Sequence, residues 1–227
     1  MTAEPLVPGI WRIPTTARDN AFLVEADDGW TLVDVGWAQA PARIADAVAG
    51  LGGRVTDIRR IVVTHAHPDH VQGAAEMRAR TGAELLIHAG DAAWLRAGRV
   101  PPSGRQGALG RLVDKLPRLH WAPVAEDGTL VDGEVVGGLQ VIHTPGHSPG
   151  HVVLLHGPTR TLLTGDAVFH RSARPGLGPA ALAADAAARD ASLRRLPADV
   201  AAVGFAHGSP LTGDGVSVYA DWLGGAV

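Results

Sequence analysis

The stretch VTHAHPDHVQG, residues 63–73, places His65, His67, Asp69 and His70 within six positions, directly after the apolar run IRRIVV. In extended backbone, residues two apart point to the same side of the chain and neighbours point apart. His65 and His67 are therefore expected to converge on one point. His70, beside Asp69 at the start of an expected helix, aims elsewhere, so the motif reads as two half-sites rather than one. Four ligand-capable groups this crowded need partners from elsewhere in the chain.

Three later segments supply them: TPGHSPGH with His147, LLTGDAVF with Asp166 and GFAHGSPL with His207. Each lies where an apolar strand gives way to a turn containing glycine, the setting in which a rigid scaffold presents reactive groups from its loops. Any one of these histidines alone reads most simply as a strand cap or a polar gap-filler. Together with the first motif they read as a metal site.

Composition narrows what that site can be. The chain has no cysteine, which excludes a disulfide framework and a thiolate metal site and leaves nitrogen and oxygen as ligands. Its 227 residues suffice for one large domain, and 46% hydrophobic with 19% charged residues is the balance of a globular chain. The net charge is −3, the single lysine is Lys115 and the arginines are scattered, so no basic stripe points to nucleic acid. No leader-like start and no long apolar run is visible, which makes a cytoplasmic protein without membrane contact the expectation.

The organisation along the chain is alternating. GIWRI, AFLVEA, WTLVDV and RRIVVTH read as strands, with DDG as the turn of a hairpin between the second and third. Residues 41–51 read as a helix with proline at its start and GG at its end, and residues 70–81 as another. ELLIH is a short strand and GDAAWLRAG a helical turn; residues 100–128 are the least regular part, a candidate lid or substrate loop. Strands resume at LQVIHT, HVVLLHG and TRTLLTG, followed by an expected helix over 179–196, the strand VAAVGFAHG and a terminal helix near 216–223.

With these motifs in this order, the chain resembles the metallo-β-lactamase-fold hydrolase superfamily over nearly its whole length. NAFLVEADDGWTLVDVG is similar to the opening hairpin of that superfamily, THAHPDH to its His-x-His-x-Asp-His signature, and His147, Asp166 and His207 follow in the family's order. The resemblance implies a single-domain α/β fold, a four-layer αββα sandwich with the site at one edge of the paired sheets. It implies that His65, His67 and His147 hold one metal, that Asp69, His70 and His207 hold a second, and that Asp166 bridges them. The ligand types suit two divalent ions, zinc first, with iron or manganese as the others. Asp34, at the end of the hairpin, is implied as an orienting residue behind the ligands.

Two such ions roughly 3.5 to 4 Å apart lower the pKa of a shared water toward ~7, so no side-chain nucleophile is needed. Asp69 is the expected catalytic residue, orienting the attacking water and taking its proton. HTPGHSPGH with LLTGDAVF is most similar to the glyoxalase II and lactonase branches, which cleave thioesters and lactones of small acids. Only 20 residues follow His207, where full-length glyoxalase II relatives continue into a glutathione-gripping segment, and Tyr219 is the only tyrosine. The resemblance therefore implies hydrolysis of an ester-type bond in a small molecule without naming it. A mononuclear iron persulfide dioxygenase and a phosphodiesterase of the same fold are the alternatives. Among the other histidines, His143, His151 and His156 read as strand residues paired to backbone or solvent, and His170, four residues beyond Asp166, as a group facing substrate or shuttling a proton. Trp94, Trp121 and Phe169 read as core residues, with a pocket wall as their other use.

Overall fold

The computed structural model describes residues 2–226. The first sheet runs in chain order across space: β1 (Glu4–Val7), β2 (Ile10–Pro14), β3 (Asn20–Ala26), β4 (Gly29–Val33), β5 (Ile58–Val63), β6 (Glu84–His88) and β7 (Gly128–Leu130). The first four are antiparallel and joined by short turns, with Ala26 opposite Gly29 in the hairpin expected at DDG. From β4 to β7 the strands are parallel, which requires crossovers. These are made by α1 (Ala40–Gly50), the pair α2 (Pro68–Val71) and α3 (Ala74–Thr81), and α4 (Ala89–Ala97) with α5 (Ala108–Val113).

The second sheet contains β8 (Val135–Val136), β9 (Leu139–His143), β10 (Val152–His156) and β11 (Thr161–Leu163). A separate hairpin, β12 (Phe169–Arg171) and β13 (Arg174–Gly176), then precedes α6 (Ala186–Ser192). The sheet is completed by β14 (Ala202–Gly204) and β15 (Leu211–Thr212), and the chain ends in α7 (Val216–Ala226). Its spatial order is β15-β14-β11-β10-β9-β8.

Period-two alternation makes each central strand serve two apolar layers. In β5, Ile61 and Val63 pack with Ile44, Val48 and Met77 of the helices, while Val62 faces Val141, Val152 and Leu154 of the other sheet. In β10, Val152 and Leu154 face inward, and Val153 and Leu155 pack outward with Leu193, Tyr219 and Leu223. Three apolar layers thus separate helices, sheet, sheet and helices, the αββα sandwich in a single domain. Among the described residues, no helix is long and apolar enough to cross a membrane.

Two expected helices are divided, each by a tertiary contact. The 70–81 helix is two pieces, α2 and α3, because the Gly73 backbone donates to the Gly36 carbonyl at 3.0 Å and sits where a Cβ would be 2.8 Å from Pro41. The 179–196 helix is reduced to α6 flanked by single 3₁₀ turns. Ala184 and Asp185 give their backbone N–H groups to the carbonyls of His147 and Gly146, and the Asp185 carboxylate then caps α6 at Ala188. The loop bearing His147 takes the hydrogen bonds a continuous helix would have used.

The same edge of both sheets is stitched together. Val152 donates its backbone N–H to Thr64 across 2.9 Å, and Asn20 does so to Ala206 at 2.9 Å, with the Asn20 side chain reaching the carbonyls of Phe205 and Gly208. Every loop that carries a candidate ligand leaves a strand at this edge.

Candidate metal centre

His65 and His67 follow β5, His67 in extended backbone, while Pro68 opens α2 and turns Asp69 and His70 onto a helix. This change of backbone separates the two half-sites. His65, His67, His147 and Asp166 each bring one ligand atom within 4.8 Å of the others, and Asp69, His70 and His207 form a second such group. The Asp166 carboxylate stands between them. Its Oδ2 is 3.2 Å from His147 Nε2 and 3.9 Å from His65 Nε2; its Oδ1 is 3.0 Å from His207 Nε2 and 3.3 Å from His70 Nε2. Asp69 Oδ2 lies 3.4 Å from His207 Nε2.

These atoms fit a donor set for cations. The Nε2 atoms of His65 and His70 and Oδ1 of Asp166 are buried without a hydrogen-bond partner. Each such atom costs about 1–3 kcal/mol if left unpaired. His67 Nδ1 and His147 Nε2 face each other at 2.8 Å, two nitrogens that a shared cation would satisfy together. Imidazole and carboxylate donors suit zinc, iron or manganese.

A buried polar frame holds these groups in place. Asp34, in left-handed backbone at φ 57°, accepts from Thr64 N and from His70 Nδ1, each at 2.8 Å. Thr64 Oγ1 donates to Asp34 Oδ2 at 2.8 Å and lies 3.1 Å from His65 Nδ1, so one carboxylate orients a ring from each half-site. His151 Nε2 accepts the Asp166 backbone N–H at 2.9 Å, which leaves the proton on Nδ1, donated to Thr144 Oγ1 at 2.8 Å. Between them, Gly165 adopts φ +49°, and a Cβ there would sit 2.8 Å from His151 Nε2. Asp91 joins the two ligand loops, accepting from Ala66 N at 2.9 Å, Ser148 Oγ at 2.6 Å and Gly150 N at 2.7 Å. Asp19 accepts from His207 Nδ1 at 2.9 Å, from Trp37 Nε1 at 2.8 Å and from Thr16 Oγ1 at 2.7 Å.

The charges divide along the same line. Burial holds His65 and His67 well below the usual imidazole range, helped for His65 by His70 and for His67 by the Arg105 guanidinium. Burial also disfavours charge on His70 and His207, but Asp34 and Asp166 outweigh it for His70, and Asp166 and Asp19 for His207. His70 rises well above its ordinary value and His207 to about 10. Burial pushes Asp166 up, yet His207, His70 and His147 hold it well below the usual carboxylate range. Asp19 is lowered to about 2, its burial outweighed by His207, Thr16 and Trp37.

A cavity of about 160 Å³ opens beside the centre, lined by His67, Asp69, His147, Asp166 and His207 and by Phe169, whose ring stacks on His207 at 4.9 Å. Trp94 and Trp121 are core residues, Trp94 stacked 6.0 Å from His67. His170 is placed differently from a substrate-facing group. Its Nδ1 lies 2.7 Å from the Ser209 carbonyl and its backbone donates to His207, so it braces the His207 loop from outside the cavity. Residues 100–128 contain α5 and send Arg105 to the cavity wall. Asp19, Thr64, Asp91 and Arg105 were not singled out by sequence. His151 pairs with backbone as expected, but with the backbone of Asp166.

The family model of the metallo-beta-lactamase superfamily matches residues 16–207. A hydroxyacylglutathione hydrolase of Acidiphilium cryptum is 34% identical over 160 residues, which is 70% of this chain and 53% of that protein. The uncharacterized protein YobT of Bacillus subtilis is 30% identical over 168 residues, 70% of this chain and 66% of that one. The chain thus spans about half to two thirds of the length of these curated relatives. Among solved structures, a metallo-beta-lactamase of Cronobacter sakazakii superposes with a TM-score of 0.71 at 25% identity, covering 92% of this chain and 81% of its own. The subclass B3 metallo-beta-lactamase BJP-1 of Bradyrhizobium japonicum shares the fold at a TM-score of 0.72, 23% identity and coverage of 99% and 91%. A family match that begins before the hairpin and ends on His207, on a sandwich carrying all seven clustered groups at one edge, leads to one conclusion: the chain belongs to the metallo-β-lactamase superfamily.

Proposed function

We propose that the protein is a metal-dependent hydrolase that holds two divalent cations, zinc first, and cleaves a thioester, lactone or carboxylic ester of a small molecule. His65, His67 and His147 would hold one cation and Asp69, His70 and His207 the other, with the Asp166 carboxylate between the two groups. The observation that carries this reading is the Asp166 carboxylate, with one oxygen toward each group. The hydroxyacylglutathione hydrolases among its relatives support the ester-type bond.

Cations held there would supply an acidified water and polarisation of the substrate oxygen. Asp69, less buried than the other candidate ligands and open to the cavity, is the carboxylate placed to orient an attacking water and take its proton. Asp34 and Asp19 keep the outer nitrogens of His70 and His207 engaged, which fixes the rings with Nε2 turned to the centre. Phe169, Pro179 and Leu182 wall the cavity and limit competing water. Segment 100–128 serves as the substrate loop: its Gln106 and Gly107 bond the backbone at Ala183 and Ala181 beside the cavity.

The test is a screen of zinc- and manganese-loaded protein against thioesters, lactones, phosphodiesters and β-lactams, with oxygen uptake followed on glutathione persulfide. Turnover of an ester-type substrate without oxygen uptake is expected. One bound iron with oxygen uptake, or turnover confined to phosphodiesters or β-lactams, overturns the reading.

A further inference from the structure

Five of the residues lining the cavity are candidate ligands, and Phe169, Gly178, Pro179 and Leu182 offer no polar side chain. The two that remain are Arg105 and Arg171. Beyond the candidate ligands, the side chains lining this cavity offer only apolar wall or guanidinium.

Arg105 is nearly buried and already fixed in place. Its Nε donates to Asp114 Oδ2 at 2.9 Å and its Nη2 to Oδ1 at 3.4 Å, while Nη1 donates to the Leu182 carbonyl at 2.6 Å. A guanidinium has five N–H donors, so two remain for a ligand. An arginine anchored this way loses little further freedom when an anion arrives. Arg171 is exposed, with its guanidinium 4.7 Å over the Phe169 ring, and it also lines a neighbouring cavity of about 580 Å³ that includes Asp69 and His207. Asp114 pairs with Arg105, whereas Arg171 makes no ion pair among the described residues.

We infer that the substrate is an anionic acyl compound, carrying a carboxylate away from the scissile bond, and that Arg105 and Arg171 hold that carboxylate. The cleaved bond rests on the hydrolase reading above; the anion site does not. Arg105 and Arg171 are positioning and specificity residues here, acting on the substrate's charge and not on the reacting atoms.

The test uses para-nitrophenyl hemiglutarate and para-nitrophenyl pentanoate, which differ in the charge of the acyl end; hydrolysis of either adds water across the ester and releases para-nitrophenol. Glutarate binding to the zinc-loaded protein is measured separately by titration calorimetry. In wild type, kcat/KM favours the hemiglutarate, chiefly through KM. In Arg171→Ala, and in Arg105→Gln that melts like wild type, that preference and the glutarate affinity each fall by about tenfold or more, the loss expected for a charge-assisted pair. An unchanged preference and glutarate affinity in Arg171→Ala overturns the inference while leaving the hydrolase reading intact. If neither ester is turned over, the calorimetry alone decides the anion site, and equal glutarate affinity in wild type and Arg171→Ala removes it; the hydrolase reading is decided separately by the screen of thioesters and lactones.

Discussion

His70 donates from Nδ1 to Asp34 Oδ2 across 2.8 Å, and the other oxygen of that carboxylate receives the Thr64 backbone N–H at 2.8 Å. One side chain at the end of β4 therefore sets both the ring that belongs to one half-site and the backbone that leads to the other. Replacing it leaves buried donors at both places. Asp34→Ala is expected to weaken cation affinity by about 10- to 100-fold, the usual effect of removing a partner behind a ligand. Chelator competition with a zinc indicator measures it; an affinity within twofold of wild type would show that the carboxylate orients nothing.

His151 differs from Asp34 in that its ring nitrogens bond the backbone of Asp166 and the hydroxyl of Thr144, not the side chain of a candidate ligand. His151→Phe keeps the ring's bulk and leaves both buried groups without their partner. The unfolding free energy of the cation-free protein is expected to drop by about 1–3 kcal/mol. Urea denaturation checks this, and a variant as stable as wild type would mean that the Asp166 amide finds another acceptor.

The pH dependence follows from His207. Burial lowers its pKa, but the charges of Asp166 and Asp69 and the bond to Asp19 prevail, raising it from 6.5 to about 10. The cation-free folded state therefore binds this proton more tightly than the unfolded chain. Its stabilisation is full below the unfolded value of 6.5 and is lost as pH rises through about 10. Cation binding requires the neutral ring, so loaded protein escapes this loss. Melting temperatures of chelator-treated protein are expected to fall across that window and those of zinc-loaded protein to hold. A fall of equal size in both would assign the dependence to other groups.

The fold and the seven clustered groups were legible because each leaves a strong local mark. The apolar strand before His65, the spacing of two to His67 and the proline that turns His70 onto a helix are all contained in the thirteen residues 58–70. The glycines beside His147, Asp166 and His207 mark their turns in the same way. Asp91 leaves no such mark: it stands 25 residues from Ala66 and 57 from Ser148, and reads as an ordinary acid in the first turn of α4. Asp19 is one polar residue among several in a loop until His207 arrives from 188 positions away. The continuous helix expected over 179–196 failed for the same reason, since its backbone donors are taken by the His147 loop. Periodicity reports what a segment can do alone, and these residues are defined by what meets them.

The central claim is that Asp166 joins two cation sites. Zinc titration of chelator-stripped protein by calorimetry, with metal content measured after gel filtration, tests it most directly. Two zinc ions per chain are expected for wild type, with Asp166→Ala weakening both sites. A wild-type protein that retains no transition metal, or an Asp166→Ala variant that binds two ions as tightly as wild type, would contradict it.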